Sequence, residues 1–168
     1  MPVLAAFAAA AVATATTAPL PPWRRNPPIA ATSGDARVVA REWRVADNRD
    51  TCAPLSFATV RAGGISGARA RRAVFAGGWG VAWDIPGQRS AFGVAGAGVD
   101  AEPEDITRWP NVIRWRDGSA AGYGLTGDTG PGYLAYVKVA GQGCLYNVWS
   151  NVSRRHLRLI LSHLRRVR

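Results

Sequence analysis

YLAYVKVAGQGCLYNVW, running from Tyr133 to Trp149, is the stretch that decides the fold. Its two halves alternate with period two, the mark of half-buried strands, and Gly141-Gln142-Gly143 between them supplies turn chemistry. The segment therefore reads as a β-hairpin. Just upstream, NVIRWR (Asn111–Arg116) and the stretch Ser119–Leu125 flank Asp117-Gly118, and Asp-Gly between apolar runs is a strong short-range hairpin signal. Further back, AVFAGGWGVAWD (Ala73–Asp84) puts Trp79, Val81 and Trp83 on one side, with Gly78, Gly80 and Ala82 between them. That second side is nearly bare, so another backbone or a large side chain must pack closely over it. Pro86-Gly87-Gln88 turns the chain into Ser90–Val99, whose small residues suit such an approach. LSFATVR (Leu55–Arg61) adds a further strand, followed by a turn over Ala62–Gly67.

Helices are expected at both ends. Ser33–Ala46 has Val38, Val39, Trp43 and Ala46 near one face, with Ser33 or Asp35 as cap. From about Val152 to Arg168, Leu157, Ile160, Leu161, Leu164 and Val167 form an apolar stripe at helical spacing, capped by Asn151 or Ser153. These elements predict a single α+β domain over 34–168. It comprises an antiparallel sheet of about five to seven strands, with the C-terminal and a short N-terminal helix packed on it.

Ahead of that domain the chain changes character. Val3–Ala15 is an uncharged apolar run ending in Ala13-Thr14-Ala15 and Thr16-Thr17-Ala18, both of the small-x-small form that signal peptidase accepts. The leader, residues 1–18, reads as a signal peptide, too short for a membrane span. Its n-region lacks Lys and Arg, and Pro19 disfavours cleavage after Ala18, so the cut is expected after Ala15. The alternative is an Ala-rich tail. Residues 19–33 carry five prolines and read as a linker.

Export fixes how the two cysteines read. Cys52 and Cys144 fit neither a CxxC motif nor a zinc site, and in an oxidising compartment a lone pair is joined. Closing a loop of that length stabilises a fold by roughly 4–5 kcal/mol in the chain-entropy model. Cys144 as a nucleophile is the competing reading, with no His near it in sequence.

The net charge is +10, carried by twenty Arg and one Lys (Lys138). Ala, Gly, Arg and Pro make up 80 of 168 residues, all with GC-rich codons, so the choice of Arg over Lys says little. The excess positive charge itself predicts attraction to anionic surfaces: an envelope polymer, a membrane or a nucleic acid, without a specific nucleic-acid motif. A composition of this kind suggests a bacterial source, in which case the sequon Asn151-Val152-Ser153 carries no meaning.

Arg154, Arg155 and His156 occupy the first turn of the last helix, where the macrodipole favours anions and disfavours cations. With Arg158 they form a candidate anion-binding site. A solvated surface that tolerates the mismatch explains the same residues. Arg165, Arg166 and Arg168 extend the basic surface toward a membrane-lying helix, although docking on the sheet accounts better for the apolar stripe. The strand aromatics Trp79, Trp83, Trp115, Trp149, Tyr123, Tyr133, Tyr136 and Tyr146 form either a core or an outward platform for sugars or peptides. Trp79 and Trp83 read as core, whereas Trp149 and Tyr136 are open.

Other chemistry is thin. The acidic cluster Asp100, Glu102, Glu104 and Asp105 surrounds Pro103 and reads as a helix start rather than a calcium loop. Gly122–Gly127 matches GxGxxG with no helix to follow it. Ser66 lacks the nucleophile-elbow glycines, and His156 and His163 lack a third ligand. Asp84 is a possible acid or base without a visible partner. No cofactor or metal is called for. Three functions remain: an exported non-catalytic binding domain, a small extracytoplasmic hydrolase, or an inhibitor or accessory module using Thr126–Gly132 to hold a protein partner. The oligomeric state is open.

Overall fold

The computed structural model describes residues 17–57, 65–98, 102–127 and 132–168. The chain order is α1 (Pro22–Arg25), α2 (Ala36–Arg44), β1 (Leu55–Phe57), β2 (Arg69–Arg72), β3 (Trp79–Ile85), β4 (Gln88–Gly96), α3 (Pro103–Thr107), β5 (Asn111–Arg114), β6 (Ala120–Leu125), β7 (Tyr133–Lys138), β8 (Leu145–Ser150), α4 (Arg154–Ser162) and β9 (Leu164–Arg166). Seven strands form one antiparallel sheet in the order β2-β3-β4-β8-β7-β6-β5, and β1 pairs with β9 in a second, two-stranded sheet. The fold is α+β, as the hairpins and the terminal helix predict. All three expected hairpins form: β3–β4, β5–β6 and β7–β8.

The register divides the large sheet into two unlike faces. Val81 pairs with Val94, Val94 with Val148, and Val148 with Ala135, so their side chains share the inner face. Trp79, Trp83, Phe92 and Tyr146 join them there, each at most 2 % exposed. Layered on this face are α1, α2, α4 and the small sheet. Phe57 of β1 lies 5.1 Å from the Trp83 ring, and Trp83 stacks on Phe92 at 5.6 Å. Burying several rings of this size is the main source of stability, at about 25 cal/mol per Å² of apolar surface.

On the outer face the same strands present Gly80, Ala82, Gly93, Ala95, Gly122 and Gly124. The expectation that something must lie close over them holds. A β-carbon at Gly93 would collide with the Trp149 ring and stand 2.6 Å from the Val81 carbonyl. At Gly80 it would meet Phe75, and at Gly122 and Gly124 the side chains of Trp109 and Pro110. Helix α3, with Pro103 at its start and Asp105 accepting from the Glu102 amide (2.9 Å), covers β6 on this side.

Cys52 and Cys144 are joined, with their α-carbons 5.3 Å apart. The bond ties the loop after α2 to the start of β8, rather than clasping the sheet against the last helix. Around it, Gln142 Oε1 accepts from the Ala53 amide (2.9 Å), and the Tyr146 hydroxyl donates to the Ala53 carbonyl (2.9 Å). Burial pushes the Tyr146 hydroxyl pKa well up, so it stays a donor throughout the physiological range.

Several expectations need correction. The C-terminal helix ends at Ser162, with His163 as its cap, and Leu164–Arg166 is a strand against β1. Leu164 and Val167 are buried as expected, but through that strand. The segment read as a linker is docked: Trp23 is buried edge-on against Trp115 at 5.1 Å, and Ile29 bridges to Val167. Trp115 lies just beyond β5, not within it. Strand β2 was not anticipated. Asp35 sits at the start of α2 but makes no cap; its carboxylate accepts from Trp83 Nε1 (2.8 Å) instead. Most of the leader, four positions of Leu55–Arg61 and part of Thr126–Gly132 lie outside the described residues.

Candidate functional site

The candidate anion site begins at Ser153, whose extended backbone precedes α4 and whose hydroxyl accepts from the His156 amide at 3.0 Å. From that cap the helix must turn its Leu157, Ile160 and Leu161 side into the core, and this orientation decides where the basic residues go. Arg155 and Arg158 point to solvent. With Arg154, Val152, Leu159 and Ile65 they line an open hollow of about 930 Å³. Arg154 is also exposed but turned: its guanidinium donates to Asn111 Oδ1 and lies 5.9 Å from the centre of the Tyr123 ring. None of the three has a carboxylate partner among the described residues, whose ion pairs involve Arg41, Arg49, Arg71, Arg72 and Arg108.

His156 is different. It is four residues before Ile160 and so shares the buried stripe. Its Nδ1 is 2.8 Å from Ser150 Oγ, and its ring meets Phe92 edge-on at 4.8 Å. Burial holds its pKa below the ordinary histidine value, so near neutrality it carries no charge. The structure thus brings Arg154, Arg155 and Arg158 together and sets His156 inward as a core residue. Toward the end of α4 the basic strip continues with Arg25 of α1, whose guanidinium donates to the Ser162 carbonyl (3.3 Å) and shares a small hollow with Arg158. Sequence reasoning missed Arg25, because the Pro-rich segment carrying it read as a tether.

Asp84 is a structural acceptor. The backbone amide of Ser90 (2.7 Å) and Arg71 Nε (2.9 and 3.0 Å) hold its carboxylate, and together they depress its pKa, the Ser90 bond most strongly. Ser90 has a left-handed φ of 51°, and its carbonyl accepts from Trp149 Nε1 and Asn151 Nδ2. This knot secures edge strand β2 to the irregularity between Trp83 and Ile85. Arg71 and Asp84 belong to the outer face and His156 to the inner, so the sheet separates the two groups that acid–base hydrolysis would pair.

Glu104 is used in an ion pair with Arg108 (2.6 Å), and no group of three or more metal-capable side chains occurs among the described residues. Ser66 stands exposed in a turn. Of the glycines of the GxGxxG match, Gly122 and Gly124 serve as the floor beneath Trp109 and Pro110, while Gly127 has nothing within 4 Å.

The strand aromatics divide by face. Trp79, Trp83, Tyr123, Tyr133 and Tyr146 are on the inner face; Trp149 and Tyr136 are half-buried on the outer one. Comparisons with protein-family models, curated proteins and solved structures found no match.

Proposed function

We propose that the chain is an exported, disulfide-stapled binding domain, non-catalytic, whose basic helical layer docks on an anionic envelope polymer or membrane surface. One observation carries this reading. The elements α1, α2, α4 and β9, stacked on a single face of the sheet, hold ten arginines and one carboxylate, Glu42. Charge of one sign concentrated on one side of a small protein gives it a preferred orientation toward an anionic surface. Arg155 and Arg158 are the centre of the layer. They are exposed, lack carboxylate partners among the described residues, and flank the exposed apolar side chains of Val152 and Leu159. Guanidiniums around a shallow apolar patch suit phosphate or carboxylate groups carried on a larger body. The Cys52–Cys144 bond is compatible with an oxidising compartment.

Chromatography on immobilised heparin, lipopolysaccharide and DNA tests the reading. Strong retention is expected on all three, reversed by salt because the contacts are screened. Retention no stronger than that of a neutral protein of equal size would refute it.

A further inference from the structure

The basic layer is not uniformly polar, and the places where it is apolar separate one kind of anionic partner from the others. Seven large hydrophobic side chains stand exposed among the described residues. Four of them, Val45, Val74, Val112 and Leu125, line neither of the two hollows beside α4. The other three gather around Arg158. Val152 and Leu159 line the large hollow with half-buried Ile65, and Leu20 lines the smaller one with Arg25. Arg158 and Ser162 belong to both hollows, so the two form one continuous surface. Neither is lined by a carboxylate, whereas the hollow beside α2 includes Asp35 and the one beside Gln142 includes Asp50.

We infer, resting on the basic-layer reading proposed above, that this surface takes a phospholipid bilayer. Lipid phosphates sit on Arg155 and Arg158, and Val152, Leu159 and Leu20 enter the interface beneath them. A polysaccharide or nucleic acid meets the charge but has little to cover aliphatic side chains, whereas a bilayer surface supplies phosphate and hydrocarbon together. The layout on α4 fits that pairing. Leu159 follows Arg155 by four residues and Arg158 by one, and all three are exposed on the side away from the core. The charges therefore stand around the aliphatic group, and arginine side chains so placed reach phosphate while their stems stay in apolar surroundings. The chain's own course points to the same partner. Pro19 lines the smaller hollow, and the apolar run Val3–Ala15 ends four positions before it, about 14 Å of extended chain at most. A leader held in a membrane thus brings this surface to that membrane.

Flotation of the mature chain, from Thr16 onward, with vesicles of mixed phosphatidylcholine and phosphatidylglycerol tests this, run beside chromatography on heparin and DNA. The wild type should float with the vesicles. Val152→Ser/Leu159→Ser should lose about tenfold in vesicle partitioning, the scale set by the apolar area removed, yet elute from heparin at the wild-type salt concentration. Leu159→Trp, which places an interfacial ring at the same position, should bind the vesicles several-fold tighter. Both sites are open to solvent, so melting temperatures close to the wild type's are expected. Vesicle binding by the serine variant equal to the wild type's would overturn the inference, as would a Leu159→Trp variant that binds no tighter. Wild-type retention on heparin and DNA without vesicle binding would also overturn it. That result would assign the surface to a polymer and leave the basic-layer reading intact, whereas failure to bind heparin, DNA or vesicles would remove that reading as well.

Discussion

The two faces of the seven-stranded sheet are built from alternate residues of the same strands, yet they solve opposite problems. On β3 and β4 the inner positions are Trp79, Val81, Trp83, Phe92 and Val94, and the outer ones Gly80, Ala82, Gly93 and Ala95. Inside, bulk from the strands fills the space beneath the helices and the small sheet. Outside, the strands withhold bulk so that a few rings from elsewhere can lie on the backbone. An inner ring is therefore held by everything around it, and an outer one by its floor and a single neighbour.

Paired truncations sharpen that contrast most strongly. Trp83→Ala should cost about 3–5 kcal/mol in urea unfolding, the usual range for removing a buried ring and leaving a cavity. Trp149→Ala, which removes a half-buried ring on the outer face, should cost well under half as much. Equal losses would mean the outer ring is core after all.

Filling the floor should give the next effect. Gly93→Ala places a methyl group where the Trp149 ring and the Val81 carbonyl already are, and overpacking of this kind costs about 1–3 kcal/mol. Gly87→Ala is a contrast, since Gly87 has nothing within 4 Å and its φ of 77° makes any loss there one of left-handed backbone strain, not of overpacking. The Gly93 loss should shrink when combined with Trp149→Ala and the Gly87 loss should not, which a thermal-melt double-mutant cycle would measure.

The smallest effect is the pH response of His156, beneath the inner face. Its folded pKa lies below its unfolded value, so the unfolded state binds the extra proton first on acidification. The stability that the neutral ring contributes is complete above about pH 6.5, the ordinary histidine value, and is lost as the pH falls below it. Wild-type stability should decline through that window, and His156→Gln should flatten the decline. Asp84 acts in the same direction but lower, because its contribution is lost only as the pH falls from the ordinary carboxylate range through its depressed pKa.

What the sequence made legible was what local rules control. The three hairpins announced themselves through period-two patterning and turn residues, and the bare side of Trp79–Trp83 foretold the close covering of Gly80 and Gly93. The errors came from long-range pairing. RARR in β2 has no apolar alternation, and only Asp84, reaching Arg71 from the next strand, makes it legible as a strand. Leu164 and Val167 continue a helical stripe in sequence, but β1 captures that segment more than a hundred residues away in the chain. Trp23 sits among prolines that spell linker, and its burial depends on Trp115. At the candidate site the arginines were visible but their directions were not. His156 could have been set aside earlier, since its four-residue spacing to Ile160 already put it on the buried side.

The central claim is that the helical layer, led by Arg155 and Arg158, holds the protein to anionic surfaces. Co-sedimentation with vesicles of mixed anionic and zwitterionic lipid, across a series of salt concentrations, addresses it most directly. Wild-type binding should fall steeply with salt and be absent on purely zwitterionic vesicles, while Arg155→Glu/Arg158→Glu should lose most binding even at low salt with its melting temperature unchanged. A folded double variant that binds anionic vesicles as well as the wild type, with the same salt dependence, would contradict it.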